Sequence, residues 1–248
     1  MTRLLSVWFF SLAICGSVLA DDYDVVLRSA SLAEQRSALT ALLRNPADYI
    51  SRIQQDLRNY PKLLKSGSTA ANRAVYVAAL VRDPSFAPIL ADRLGDAAVV
   101  DECIYACPVV FALTIYASFA GWTPPANLDP KLDTVNDLHA AIRYMSKISL
   151  TVRPIEEVIQ GPALERNRRH IAGKTEEQLI DMAGPTAPPG APRGLAAFAL
   201  QASVVTSENR IPLYVLLINE GRGGASQEYR GAIYQAIYRA ELARARGR

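Results

Sequence analysis

A repeated junction constrains the fold of this chain more than any other feature. Residues 41–46 read Ala-Leu-Leu-Arg-Asn-Pro, and residues 79–84 read Ala-Leu-Val-Arg-Asp-Pro, 38 residues later. Each copy has the apolar end of one helix, a polar break, and a proline suited to the first turn of the next helix. A period of this size is typical of stacked helix pairs, in which no single pair buries its own apolar face. The repeat therefore predicts an all-α solenoid of degenerate helix pairs.

Helical signals continue along the rest of the chain. Capping boxes at Ser31–Glu34 and Thr175–Gln178 mark two helix starts. The apolar stretch 97–119 predicts a buried helix that bends at Pro108. No segment alternates apolar and polar residues for long, so we expect little or no β-strand. The repeat spacing is irregular over 120–192, and a proline-rich loop is expected at 185–194.

The N-terminus has the pattern of a secretory signal peptide. Arg3 precedes an almost wholly apolar run from Leu4 to Leu19, and Ala20 is followed by two aspartates. This pattern predicts cleavage after residue 20, a single helical-repeat domain over 21–248, and a periplasmic or extracellular location. An uncleaved anchor is the alternative, although the run is short for a membrane span. No later segment has the length and apolar character for a span, so we expect no stable membrane span after cleavage.

Charge and composition exclude some classes of protein. The 27 Lys and Arg residues nearly balance the 24 Asp and Glu residues. A dedicated nucleic-acid-binding protein has a marked basic excess, so we expect no nucleic-acid partner. Half of the residues are hydrophobic, which is enough for a full core in a chain of 248 residues.

Two cysteines, Cys103 and Cys107, follow the predicted signal peptide. An even number of cysteines in an exported protein favours a disulfide. Four residues within a regular helix is a poor spacing for that bond, so the prediction requires an irregular segment before Pro108. Buried free thiols and redox or metal chemistry are the alternatives, and the latter is disfavoured because no histidine lies nearby in sequence.

The repeat and its surroundings resemble HEAT-type helical repeats. The resemblance rests on residues 80–84 with Ile89, Leu90, Leu94 and Asp96, and on the copy at 41–46. It extends over roughly half of the chain after the predicted signal and departs most in the irregular middle. The resemblance implies a curved α-solenoid that binds another macromolecule along its concave surface, and it names no partner.

No motif in the chain specifies a reaction, a cofactor or a metal. Neither His139 nor His170 has acidic or cysteine neighbours at metal-ligand spacing, so we expect no metal and no cofactor. Placed carboxylates are sufficient for glycan cleavage, and Glu102 and Glu156 are the candidates for an acid/base role. The simpler interpretation of Glu156 is a favourable charge in the first turn of a helix, and that of Glu102 is a solvated turn.

Two features suggest partner binding instead. Trp122 lies in a proline-rich loop, where it either anchors a partner or folds back onto the core. Arg166, Arg168 and Arg169 form a local basic cluster suited to an acidic partner. Further arginines make the C-terminus basic: Arg222, Arg230, Arg239, Arg244, Arg246 and Arg248. We favour the interpretation that these offset the negative end of the last helix, with a weak acidic-surface contact as the alternative.

The sequence thus predicts an exported, non-catalytic protein that binds another protein, as an inhibitor, an immunity-type protein or a scaffold. An enzyme that hydrolyses envelope material through carboxylates is one alternative. A carrier of apolar ligands is another, and it requires an internal cavity of several hundred Å³.

Overall fold

The computed structural model describes residues 21–65, 70–97, 107–153, 170–220 and 226–247; helices joined by turns and loops make up those ranges, which contain no β-strand. The all-α prediction is therefore confirmed for this part of the chain. The helices, in chain order, are α1 (Asp22–Arg28), α2 (Leu32–Arg44), α3 (Ile50–Arg58), α4 (Tyr60–Lys65), α5 (Ala70–Val81), α6 (Phe86–Asp92), α7 (Leu94–Ala97), α8 (Pro108–Phe119), α9 (Asp133–Met145), α10 (Glu176–Ala183), α11 (Arg193–Ser203), α12 (Arg210–Ile218) and α13 (Gln227–Ala245).

Local capping explains several helix starts. The Ser31 side chain accepts a hydrogen bond from the Glu34 amide at the start of α2, while the Glu34 carboxylate accepts from Ser29 Oγ. At α10, Thr175 and Gln178 form the complete reciprocal capping box. The Ser31 and Thr175 hydroxyls each satisfy a backbone N–H donor that the first helical turn leaves unpaired.

The two copies of the repeated junction take different conformations. After α2, Pro46 opens a 3₁₀ turn, Pro46–Tyr49, rather than an α-helix. After α5, Arg82 adopts a left-handed backbone with φ of 60°, and α6 begins only at Phe86. The Asp83 carboxylate accepts from the Ser85 amide and so forms a turn in place of the expected helix start at Pro84. Similar sequence letters therefore produce different geometry at the two junctions.

Helices α5 and α8 form the centre of the core. Every described side chain of α5 from Ala74 to Leu80 is buried, and so is every one of α8 from Pro108 to Tyr116. The Phe111 ring stacks on the Tyr234 ring of α13, with centroids 4.0 Å apart, and Tyr76 of α5 meets both rings edge-on. Aromatic pairs in these arrangements add to the free energy gained from apolar burial.

The first and last segments of the chain meet in this core. Helix α12 packs against both α2 and α5. Gln35 and Asn219 are fully buried, and the Asn219 amide nitrogen donates to the Gln35 side-chain oxygen at 2.6 Å. Arg73 donates to the Ile218 carbonyl of α12 at 3.0 Å and also to the Leu27 carbonyl of α1.

The contacts between the first and last segments of the chain are relevant to the solenoid prediction. In a solenoid each repeat contacts its neighbours in sequence, so the first and last repeats lie far apart. Here one buried cluster draws residues from Tyr23 to Ala240. The helical class is as predicted, and the solenoid arrangement is not confirmed. Within the described ranges, no helix combines the length and the hydropathy that a bilayer crossing needs.

Candidate functional site

Several residues singled out in the sequence lie outside the described residues: Cys103, Glu102, Glu156, Arg166, Arg168 and Arg169. Cys107 is 1% exposed and precedes the first turn of α8. The described part of the chain contains no disulfide pair, and the predicted bond to Cys103 stays a prediction. His139 and His170 are exposed, and the described residues include no cluster of three or more potential metal ligands among His, Cys, Asp and Glu.

Trp122 is only partly exposed. Its side chain packs against the core, and its backbone N–H donates to the Tyr116 carbonyl at 3.3 Å. This geometry matches the folded-back alternative for Trp122.

A small pocket elsewhere gathers cationic side chains. It has a volume of about 190 Å³ and lies where the end of α9 and the extended segment 148–153 meet α11 and α13. Its lining residues are Tyr144, Lys147, Ile148, Ser149, Arg153, Gln201, Gln235 and Arg239. We call this the cationic pocket, because three of these side chains carry a positive charge and none carries a negative one.

Arg239 forms the base of the cationic pocket and is 2% exposed. Its Nε donates to the Val204 carbonyl at 2.6 Å, and its two Nη atoms donate to the carbonyls of Ser149 and Thr151 at 2.6 and 3.1 Å. A guanidinium has five N–H donors, so two remain without a hydrogen bond to the described protein. The Ser149 and Thr151 bonds also fix the path of the segment that carries Arg153.

No carboxylate forms an ion pair with Arg239 in the described part of the chain. Burial and the positive charge of Arg153 lower the pKa of Arg239 from its ordinary value, and the more distant Glu176 acts against both. Glu176 is itself held elsewhere, since it accepts from the Val205 amide at 3.2 Å and from Asn209 Nδ2 at 3.0 Å. Carbonyl dipoles thus stabilise the Arg239 charge without cancelling it, and an anion in the pocket would still be attracted.

Gln235 has a fixed orientation in the pocket wall. Its Oε1 accepts from Gln201 Nε2 at 2.6 Å and from the Tyr144 hydroxyl at 3.1 Å. The amide oxygen is thereby occupied, whereas the amide nitrogen makes no hydrogen bond within the described residues. Together with Lys147, Arg153 and Arg239, Gln235 makes the lining rich in donors, which suits a group that only accepts, such as a carboxylate.

Two exposed hydrophobic residues belong to the segments that form the cationic pocket. Tyr144 is 42% exposed and lines the pocket, and Val152 is 57% exposed and stands between Thr151 and Arg153. Within the described ranges these two are the large hydrophobic side chains with high exposure. Tyrosine and arginine, both present on this face, are residue types in which protein interfaces are enriched.

Sequence reasoning missed most of this site. Lys147, Arg153, Gln201 and Gln235 gave no signal, and Arg239 was grouped with the basic C-terminus. One available signal was the position of Arg239 among Ala236, Ile237 and Ala240, because a cation on an apolar helix face is buried only when it has polar partners.

Comparison with models of protein families, with curated proteins and with solved structures gives no match for this chain. The resemblance to HEAT-type repeats therefore stays a prediction, and the functional argument depends on the residues of the chain itself.

Proposed function

We propose that this protein acts by binding another protein, and that the partner inserts an acidic side chain into the cationic pocket. Tyr144 and Val152 would supply the apolar contacts beside that carboxylate. The observation that carries the proposal is the donor-rich lining of the pocket, which includes no carboxylate among the described residues, together with the exposed side chains of Tyr144 and Val152.

The size of the pocket supports a side chain as its occupant. Sites for free small molecules usually enclose about 300–1,000 Å³. At about 190 Å³ the cationic pocket is smaller than that. An aspartate or glutamate delivered by a folded partner needs less room, and the partner's surface can cover Tyr144 and Val152 at the same time.

The proposal keeps the exported binding role expected from the sequence and changes the surface that performs it. A concave solenoid surface requires an open stack of repeats, whereas α12 joins α2 and α5 in one core. An inhibitor, immunity-type or scaffold role is compatible with a pocket that recognises an acidic side chain. The carboxylate hydrolase stays an untested alternative, because Glu102 and Glu156 lie outside the described residues. The apolar-ligand carrier has less support because the cationic pocket is charged.

The test begins with a displayed peptide library screened against the purified protein, followed by calorimetric titration of the peptides selected. We expect acidic peptides with an apolar neighbour to be enriched, and their affinity to fall as salt is added. Arg153→Glu and Lys147→Glu change exposed side chains of the pocket, so the protein should stay folded while affinity falls by roughly tenfold or more.

Lys62→Glu on α4 is the matched control, because Lys62 is exposed and is not part of the pocket lining. It makes the same change in net charge and should leave affinity unchanged. Selected peptides that bind all three variants equally, or a library with no acidic preference, would refute the proposal.

A further inference from the structure

A second cavity, larger than the cationic pocket, lies beside the end of α8 and the end of α13. It has a volume of about 550 Å³ and is lined by Arg82, Ser118, Phe119, Gly121, Glu241, Arg244 and Ala245. We call it the Glu241 cleft. None of its residues takes part in the proposed protein-binding site.

The charges around the Glu241 cleft do not balance. The Glu241 side chain is fully buried, and its Oε1 accepts from Arg210 Nε at 2.6 Å. Its Oε2 lies 3.2 Å from Arg82 Nη2 and 3.9 Å from Arg244 Nη1. Among the described residues, three guanidinium groups thus surround one carboxylate, which leaves two positive charges in excess. The carboxylate of Asp83, next to Arg82, is engaged by the Ser85 amide at 2.9 Å.

Arg82 is held in the wall of the cleft by an unusual backbone. Its φ of 60° lies in the left-handed region, which is unfavourable for a residue with a Cβ. Its side chain is 11% exposed, yet its guanidinium makes no hydrogen bond with the described residues. The nearby Glu241 Oε2 is buried and also has no hydrogen bond there. The ion pair therefore leaves most of the donors of Arg82 available.

The lining of the cleft also includes non-polar groups, among them Phe119 and Gly121. Phe119 is partly exposed, and its ring is tilted by 52° against the Tyr238 ring, with centroids 5.0 Å apart. Gly121 has a φ of 68°, and no heavy atom lies within 4 Å of the position that a Cβ would take. The open space above Gly121 and the ring of Phe119 give room for the non-polar part of a ligand.

We propose that the Glu241 cleft binds a small organic anion, whose carboxylate or phosphate oxygens contact Arg82 and Arg244 and whose apolar part lies against Phe119. Arg210, Arg82 and Arg244 share the single carboxylate of Glu241, so Arg82 and Arg244 can also contact a ligand anion through their other N–H donors. The volume of the cleft falls within the usual range for small-molecule sites, unlike that of the cationic pocket. This proposal is independent of the proposed function.

The experiment titrates the purified protein with four probes at constant ionic strength: benzoate, phenyl phosphate, inorganic phosphate and benzamide. We expect saturable binding of benzoate, phenyl phosphate or both, weaker binding of inorganic phosphate, and none of benzamide. Benzamide keeps the ring and loses the charge, while inorganic phosphate keeps the charge and loses the ring. The stronger of the first two probes identifies the oxyanion that the site prefers.

Arg244→Gln removes a half-exposed guanidinium of the cleft and should weaken binding by roughly tenfold, with partial recovery in Arg244→Lys. Arg246→Gln is the matched control, since it removes an exposed arginine two residues later that is not part of the lining. Binding that Arg244→Gln and Arg246→Gln weaken equally would overturn the proposal. Failure of both ring-bearing anions to bind would overturn it as well, and so would binding lost in Arg153→Glu but kept in Arg244→Gln.

Discussion

Replacement of Arg239 by methionine should destabilise the protein by about 3 kcal/mol, because Arg239 satisfies three backbone carbonyls at once. Methionine fills a similar volume and makes none of these hydrogen bonds. Val204 is fully buried, so its carbonyl would lose its partner without access to water, which costs about 1–3 kcal/mol. Ser149 and Thr151 are exposed residues whose carbonyls can partly rehydrate, so each adds only about 0.5–1 kcal/mol.

The loss is large relative to the total, since a domain of this kind has an unfolding free energy of about 5–15 kcal/mol. Urea denaturation followed by circular dichroism measures it, provided that the slope with denaturant stays unchanged. Arg239→Lys keeps the charge but replaces the fork of donors by one ammonium group, so it should recover only part of the loss. Amide hydrogen exchange should rise over residues 149–153, because their anchor to α13 is gone.

Arg143→Met on α9 is the matched control, because Arg143 is exposed and makes no side-chain hydrogen bond to the described residues. We expect it to change the unfolding free energy by less than about 0.5 kcal/mol. If Arg239→Met lowers the unfolding free energy by no more than Arg143→Met does, the three hydrogen bonds from Arg239 to carbonyls do not stabilise this region. The description of Arg239 as the fixed base of the cationic pocket would then be wrong.

Three further predictions test the fold. In urea denaturation, the Arg82→Gly variant should be more stable than the Arg82→Ala variant by about 1 kcal/mol. Both variants lose the arginine side chain, but only glycine adopts a φ of 60° without strain. Equal unfolding free energies would contradict the left-handed backbone at residue 82. Removal of residues 210–248 should abolish cooperative unfolding of the remainder in calorimetry, because α12 and α13 complete the core around α2, α5 and α8. A remainder that unfolds in a sharp transition would support a solenoid instead. Burial raises the pKa of Tyr229 to about 12, so the folded state holds this proton more tightly than the unfolded state. The stability from Tyr229, about 3 kcal/mol, is therefore complete below about pH 10 and lost as the pH rises to about 12. Tyr229→Phe should reduce that alkaline loss in urea denaturation at several pH values, and an identical pH dependence would refute the assignment.

Local features of the fold were predictable from the sequence. The caps at Ser31 and Thr175 lie where the sequence places them, because a side chain three residues from a free amide acts within one turn. The apolar stretch after Pro108 is a buried helix, since nearly every side chain in it is hydrophobic. Capping and apolar helix formation depend on residues that are close in sequence, so one sequence is enough to predict them.

The arrangement of the helices was less predictable for a physical reason. Gln35 and Asn219 lie 184 residues apart, and each is an ordinary polar residue in its own segment. Their hydrogen bond exists only because α2 and α12 meet in the core. The conformation of the repeated junction was equally unpredictable from its sequence. Arg82 adopts a left-handed backbone, whereas its counterpart Arg44, the last residue of α2, does not.

The cationic pocket was missed because its parts come from three distant segments. Arg239 was attributed to the basic C-terminus, where arginines commonly offset the end of a helix. Its actual partners are carbonyls near residue 150 and at Val204, which any residue type can supply. When a side chain binds backbone carbonyls, the residues that supply those carbonyls can be of any type, so the contact cannot be recognised from the sequence.

Helix α13 contributes a buried charged residue to each of the two proposed sites. For that reason, binding at each site is best tested by substitution of its exposed residues. Successive helical residues are rotated by about 100°, so Arg239 and Glu241 point to nearly opposite sides of α13. Arg239 holds the segment before residue 153, while Glu241 holds Arg210 and Arg82. Arg239 and Glu241 therefore each stabilise the fold and also line a cavity. Substitution of either residue would change both the stability of the protein and the shape of that cavity. The exposed side chains of Lys147, Arg153 and Arg244 have no such double role, so a change in binding there reports recognition rather than folding.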